Sequence, residues 1–335
     1  ELGRGMSLHR PWPIVAGRDA AKLEPLAQQL GLELRACALD DTAALDRALR
    51  GVRVVLHCAG PYKFTSKPMA DACLRAGVHY LDLTGEIPVF EALAARDAQA
   101  KAGGVMLMPA VGFDVVPTDC LAVHLLHRLP SATRLTLAFQ SVGPAGLPPG
   151  TQRTMIELLP FGDRVRAGGK LVVPESGMKL RNVDFGRGPL ETVRFTWGDV
   201  FTAYHSTGIP DIEVYVALPK AMRRQTALLK TLRPLFSLGP MRALLKRGVR
   251  PGPSAEQRAR TVTHVWGEVS DPQGRSAISR LHGPEAGLVW TTRTALACVG
   301  KVLAGQVTPG FQTPGKVFGA DFVLEAEGVE REDVQ

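Results

Sequence analysis

Arg18 follows Gly17 directly after the short apolar run Pro13-Ile14-Val15-Ala16. After the second strand of a dinucleotide fold, an acid would bind the ribose hydroxyls of NAD, whereas an arginine accommodates the 2′-phosphate of NADP. Its planar cation pairs with phosphate and stacks on adenine; the competing reading is a solvated side chain at a helix start. Asp40, just past the strand-like run Leu34 to Leu39, can accept from an adenine amino group or cap the next helix together with Asp41. The turn Cys58-Ala59-Gly60-Pro61 lets backbone pass close to a nicotinamide ribose, and Tyr62 and Lys63 follow it. Glu86 ends the run Tyr80 to Leu83, where a carboxylate can orient substrate or relay a proton, or cap a helix ahead of Ile87-Pro88. Tyr62 and Glu86 are therefore the catalytic candidates, and Gly17, Arg18, Asp40, Cys58, Ala59, Gly60 and Pro61 the cofactor-binding ones. Asp114 and Asp119 flank Pro117, with Asp119 expected in a first helical turn.

The elements that must position these residues alternate between strand and helix. Val54 to Glu86 reads as strand, helix (Lys67 to Arg75, stopped by Gly77), strand, and such units build parallel sheets. Asp19 is placed to cap a helix running to Leu30, and Gly31 to stop it. Helices over Thr42 to Leu49 and Phe90 to Lys101, and a strand over Gly104 to Met108, extend the pattern to a doubly wound, Rossmann-type sheet. In such sheets ligands sit at the carboxyl ends of the strands. A Gly-rich turn should precede the first helix, because amides at that helix end hold the diphosphate. The chain begins at Glu1, and Gly3 and Gly5 follow no strand. The expectation is a Rossmann sheet whose first strand and Gly-rich loop are missing from this sequence, as in a fragment or a degenerate protein.

After a helix expected from Pro117 to His127 the pattern changes. Strands are expected at Arg134 to Gln140, Thr261 to Ser270 and Ser276 to His282, with alternation at Val193-Phe195-Trp197 and Ile212-Val214-Val216. That reads as an α+β domain with a largely antiparallel sheet. The division is residues 1–116 for nucleotide binding, completed by 291–335, and 117–290 for substrate and dimerisation.

Composition narrows the function. An apolar share of 45% and a charged share of 21% are those of a globular protein. Five cysteines without metal-ligand spacing predict neither a disulfide framework nor a metal site, and no apolar run approaches the roughly 18–20 residues that span a bilayer. Of the net charge of +8, residues 220–260 carry +10, from eleven Lys or Arg and Glu256, leaving −2 elsewhere. Without interleaved aromatics this stretch does not read as a nucleic-acid surface. Its leucines alternate with cations over 220–250, which fits an anionic membrane surface, a cover for an apolar ligand, or an ordinary solvated helix pair. A cytoplasmic protein, peripheral at a membrane through 220–260, is expected. GxSxG and HExxH are absent, so hydrolase and zinc-protease readings have no support.

IVAGRDAAKLEPLA, VVLHCAGPY, DACLRAGVHYLDLTGE, PAVGFDVVPTD and PGFQTPGKVFGADFVL together resemble the saccharopine dehydrogenase-like oxidoreductases. The resemblance runs from Ile14 to Leu324, and within the family it points to the branch with the trans-acting enoyl reductases of bacterial lipid polyketide synthesis. It implies a nucleotide lying along Ala16-Gly17-Arg18, Asp40 and Cys58 to Pro61, with a middle domain facing it. The expected function is an NADP-dependent reductase, with NAD as the alternative cofactor, acting on an activated C=C or C=N bond of a hydrophobic acyl-type substrate. The rival is a non-catalytic nucleotide-binding or membrane-surface scaffold of the same fold.

Overall fold

A computed structural model describes residues 13–158, 163–174, 179–219 and 239–334. The first half alternates: β1 (Ile14–Gly17), α1 (Ala20–Leu30), β2 (Glu33–Ala36), α2 (Thr42–Ala48), β3 (Val54–His57), α3 (Tyr62–Ala76), β4 (His79–Asp82), α4 (Ile87–Ala94), α5 (Asp97–Ala102) and β5 (Met106–Met108). Local signals set several boundaries. The Asp19 carboxylate accepts from the Lys22 amide at the start of α1, and Gly31, at φ 65°, ends it in the left-handed region. The expected helix over Phe90 to Lys101 is two helices that part at Ala95 and Arg96.

The second half begins with α6 (Val116–Arg128) and continues through β6 (Arg134–Val142), α7 (Pro149–Leu158), β7 (Val165–Ala167), β8 (Lys170–Val172), β9 (Leu180–Asp184), β10 (Pro189–Arg194), α8 (Asp199–Thr207) and β11 (Asp211–Val216). There follow α9 (Gly239–Arg247), α10 (Ala255–Ala259), β12 (Val262–Ser270), β13 (Ser276–Pro284), α11 (Thr291–Leu303), β14 (Gly310–Phe311), α12 (Pro314–Phe318) and β15 (Glu330–Val334).

Strands β14, β5, β4 and β3 form one parallel sheet in that order, and β1 and β2 form a separate parallel pair. The other sheet is mixed: β15-β13-β12-β6-β11-β10-β9, with β7 and β8 attached to β11. All its pairings are antiparallel except β6 with β11. The segment 291–335 serves both sheets, since β14 joins the parallel one whereas β15 pairs with β13.

Helix α6 links the layers. It is buried on nearly every face from Val116 to Val123, the pattern of a helix inside a core rather than on a surface. Its Leu121 and Leu125 share a core with Leu81, Met106 and Met108 of the parallel sheet and Leu137, Val265 and Leu281 of the mixed one. Gly267 permits this approach, because a Cβ there would lie 2.6 Å from Leu125 Cδ1.

Candidate functional site

Because β3, β4 and β5 are parallel and in register, with His57 opposite Asp82 and Leu81 opposite Met108, the turns after them emerge at one end. Asp82 ties two of these turns together. Its Oδ1 accepts from the Thr84 and Ala110 amides, both at 2.9 Å, and its Oδ2 from the Tyr80 hydroxyl at 2.7 Å. Ala110 has φ 59°, a left-handed conformation that costs a side-chain-bearing residue about 1–2 kcal/mol. The bond to Asp82 holds it there. Burial pushes Asp82 up to about 6, against the pull of its three donors.

Glu86, fully buried, turns its carboxylate onto the start of α3. Oε1 accepts from the Tyr62 amide and Oε2 from the Lys63 amide, each at 2.9 Å. This corrects one expectation. Helix α3 starts at Tyr62 rather than Lys67, because its first orphan amides find an acceptor 24 residues away in sequence. Glu86 thus caps α3 with both oxygens engaged, and makes no side-chain cap bond to α4, the helix it precedes. Burial raises its pKa and the two amides oppose that.

Tyr62 lies beneath the same turn, edge-on to His57 with ring centroids 5.7 Å apart. Burial, and then the charges of Asp82, Cys58 and Asp114, push its phenol far above the ordinary value. Its hydroxyl is held in the neutral form. His57 is buried, with Nε2 unpartnered among the described residues, and burial lowers it to about 4.

The third turn supplies the residue that sequence reasoning passed over. Asp114 follows β5, and its Oδ2 lies where a Cβ on Gly85 would approach to 3.1 Å, so the two turns meet closely and a larger residue at 85 would have to displace the carboxyl group. The Trp197 indole donates to the Asp114 carbonyl at 2.7 Å, which fixes the backbone, but no hydrogen bond reaches the carboxyl group among the described residues. Burial pushes its pKa up to about 7. Aromatic rings of the second domain stand alongside: Phe113 against Phe139 at 6.1 Å, Phe139 against Trp197 at 5.1 Å, and Trp197 against Phe195 at 5.7 Å. Phe139, Phe195 and Trp197 are only partly buried. The available signal was positional: an acid just past a parallel strand, in an otherwise apolar run.

The cofactor candidates lie at the carboxyl ends of β1, β2 and β3. Arg18 is exposed and makes no hydrogen bond or ion pair among the described residues. Asp40 is exposed as well, and capping of α2 is done by Asp41, whose Oδ1 accepts from the Ala44 amide at 2.9 Å. Cys58, Ala59 and Gly60 present exposed backbone, and Pro61, joined to Gly60 by a cis peptide, leads into α3. Cys58 Sγ turns back toward the Leu56 carbonyl at 3.7 Å. Gly17 is close-packed, since a Cβ would lie 2.8 Å from Leu23 Cδ1. An unpaired cation and open backbone suit the two ends of a dinucleotide. No Gly-rich strand-to-helix turn for its diphosphate lies among the described residues, and neither does any cluster of His, Cys, Asp and Glu fit for a metal.

The basic segment is described from residue 239 onward; the expectations for 220–238 lie outside the described residues. Arg242 and Lys246 of α9 close on the buried Glu157 of α7, which Lys63 of α3 reaches from the other side. Part of the positive charge is thus spent inside the fold. Leu244, 57% exposed, and Arg247 remain on the surface of α9. No described helix is long and apolar enough to cross a membrane.

Residues 7–108 match the saccharopine dehydrogenase NADP binding domain family. Saccharopine dehydrogenase-like oxidoreductases of Mus musculus and Bos taurus are 29% and 31% identical over 180 and 188 residues, covering 49% and 51% of this chain and 41% and 42% of theirs. The trans-acting enoyl reductase of Mycobacterium ulcerans (strain Agy99) is 27% identical over 176 residues, 51% of this chain and 39% of its own length. The chain thus spans less than half the length of these curated relatives. Among solved structures, apo saccharopine dehydrogenase (L-Glu forming) of Saccharomyces cerevisiae superposes with a TM-score of 0.62 at 13% identity, covering 96% of this chain and 94% of that one. That is a likeness of fold.

Proposed function

We propose that the chain, whose residues 7–108 match the saccharopine dehydrogenase NADP binding domain family, is an NADP-dependent reductase of an activated C=C or C=N bond in a hydrophobic, acyl-type substrate. The observation that carries the cofactor choice is Arg18, exposed at the carboxyl end of β1 and unpaired among the described residues, where a guanidinium pairs with a 2′-phosphate. Asp40 would face the adenine and Cys58 to Pro61 the nicotinamide ribose. A bound, reduced nicotinamide supplies hydride. The chain's own contribution is to hold the substrate against the partly buried Phe139, Phe195 and Trp197, whose apolar faces exclude water from the turn at Asp114. The relatives named as enoyl reductases support a C=C substrate.

Titration of the protein's fluorescence with NADPH and NADH tests this reading. NADPH is expected to bind the more tightly, and Arg18→Ala to erase the preference, a loss of about 10–100-fold for one charge-assisted contact of about 1.5–3 kcal/mol. Equal affinities in the parent protein would sink the NADP assignment.

A membrane-surface role has one observation in its favour, the exposed Leu244 beside Arg247 and Arg250. Flotation with vesicles containing an anionic lipid should then recover the protein at low salt and release it at high salt. Recovery that ignores both lipid charge and salt would count against it.

A further inference from the structure

We infer that Asp114 is the catalytic proton donor of this site, the group that protonates the substrate atom left electron-rich by hydride addition. The inference rests on the reductase reading above.

The geometry singles it out from the other carboxyl groups nearby. Asp82 is saturated by the Thr84 and Ala110 amides and the Tyr80 hydroxyl. Glu86 is committed to the amides of Tyr62 and Lys63. Asp119 faces inward, bonded to Ser206 and, at 2.7 Å, to the Gly315 amide. Asp199 is held by Thr118 and is fully buried. Asp114 alone among these five keeps a carboxyl without hydrogen-bond partners among the described residues while remaining partly accessible. It stands at the carboxyl end of β5, between the turn that carries Gly85 and the ring of Trp197. A general acid needs this combination: reach to the substrate, a proton not already shared, and a wall that excludes bulk water.

Its surroundings also set when the proton is present. Among the described residues no lysine or arginine forms an ion pair with Asp114, and the titratable groups sensing its charge are the buried Tyr62 of α3 and Asp199 of α8, neither of which can neutralise it. Burial therefore governs and holds the carboxyl up at about 7, so both protonation states are populated near neutral pH.

The step balances. As hydride adds to one end of the C=C or C=N bond, the π electron pair moves to the other end and takes the Asp114 proton. A new C–H and a new C–H or N–H bond would form with the hydride that a bound, reduced nicotinamide would supply and be oxidised in giving, and the Asp114 carboxylate would regain its proton from solvent at its partly exposed side. Asn at this position keeps the shape and cannot deliver the proton.

The test has two arms. In nucleotide-free protein labelled with [13C]aspartate, infrared difference spectra should show one carboxyl titrating near pH 7 that is missing in Asp114→Asn. In steady-state assays with NADPH on a panel of medium-chain 2-enoyl thioesters and cyclic imines, Asp114→Asn should lower kcat/KM by about 10²–10⁴. It should also remove the alkaline limb of the pH profile and leave NADPH affinity within about threefold. Restoration of part of the rate and of the limb by Asp114→Glu would support a proton-transfer role over a structural one. An Asp114 carboxyl already ionised at pH 5, or an alkaline limb that persists in Asp114→Asn, would overturn the assignment while leaving the reductase reading in place. Failure of the parent protein to bind NADPH, or to reduce any member of the panel, would overturn the reductase reading and this assignment with it.

Discussion

Glu86→Ala is expected to destabilise the protein by about 2–4 kcal/mol, read as a lower urea midpoint at unchanged slope. The carboxylate is fully buried and gives one oxygen to each of two successive amides, Tyr62 and Lys63, at the start of the 15-residue α3. Two contributions disappear together. Capping by a charged acceptor at a helix N-terminus, where the aligned peptide dipoles favour negative charge, contributes about 1–2 kcal/mol. Leaving buried donors without acceptors costs about 1–3 kcal/mol each, and the Lys63 amide is close enough to the surface to regain a water. Glu86→Gln should lose roughly half as much, since its amide keeps one accepting oxygen. The same substitutions discriminate between cap and relay. If Glu86 moved protons, Glu86→Gln would abolish turnover at little cost in stability. A stability change below about 0.5 kcal/mol in Glu86→Ala would remove the capping account.

Which parts of this were legible in sequence follows from the range of the interactions. Asp19, Asp41, Gly31 and Gly77 act within one turn of where they stand, and each bounds the helix it was expected to bound. Strands such as β3, β4, β5, β6, β11, β12 and β13 were visible in apolar runs and alternation, because burial on one or two faces writes itself into local pattern, whereas the short β7, β8 and β14 and the edge strands β9 and β15 were not. The start of α3 was not visible, since its cap comes from the next turn of the sheet. Neither was the division of α4 from α5, where Ala95 and Arg96 carry no breaker chemistry. The paired destinations of β14 and β15 depend on contacts more than 50 residues apart in sequence, beyond any local signal.

The site divides in the same way. Strand-end position alone picked out turns that the fold brings to one end of the parallel sheet, but types and spacing could not rank the acids within them. Ranking depends on which carboxyls find donors, and most donors arrive from other elements: the Ala110 turn for Asp82, α3 for Glu86, α8 and α12 for Asp119. Asp114 stands out through what fails to reach it.

That lack of partners predicts a stability gain on replacement. Asp114 keeps its proton to about pH 7 in the folded chain but only to about its ordinary 3.8 when unfolded. Between these values the folded state binds more protons, so stability contributed by Asp114 is present below pH 4 and is lost as pH rises through 7. At 1.36 kcal/mol per unit the full difference would approach about 4 kcal/mol, and the partial exposure of the carboxyl brings the expectation down to about 1–3 kcal/mol. The parent profile alone would not reveal it. His57 and His205, held at about 4 by burial, gain stability as pH rises toward their ordinary 6.5, while Asp82 and Asp119, raised to about 6, act in the same sense as Asp114. The difference between parent and Asp114→Asn cancels these contributions. In urea denaturation from pH 4 to 9, the variant's relative stability should climb from pH 4 and level off above pH 8, so that it is the more stable protein under alkaline conditions. A site kept costly by an unpaired acid and improved in stability by its removal is what a trade of stability for function predicts. A difference curve that is flat, or that favours the parent above pH 7, would mean that the ionised carboxyl is stabilised in the fold, and the physical basis for its part in proton transfer would be gone.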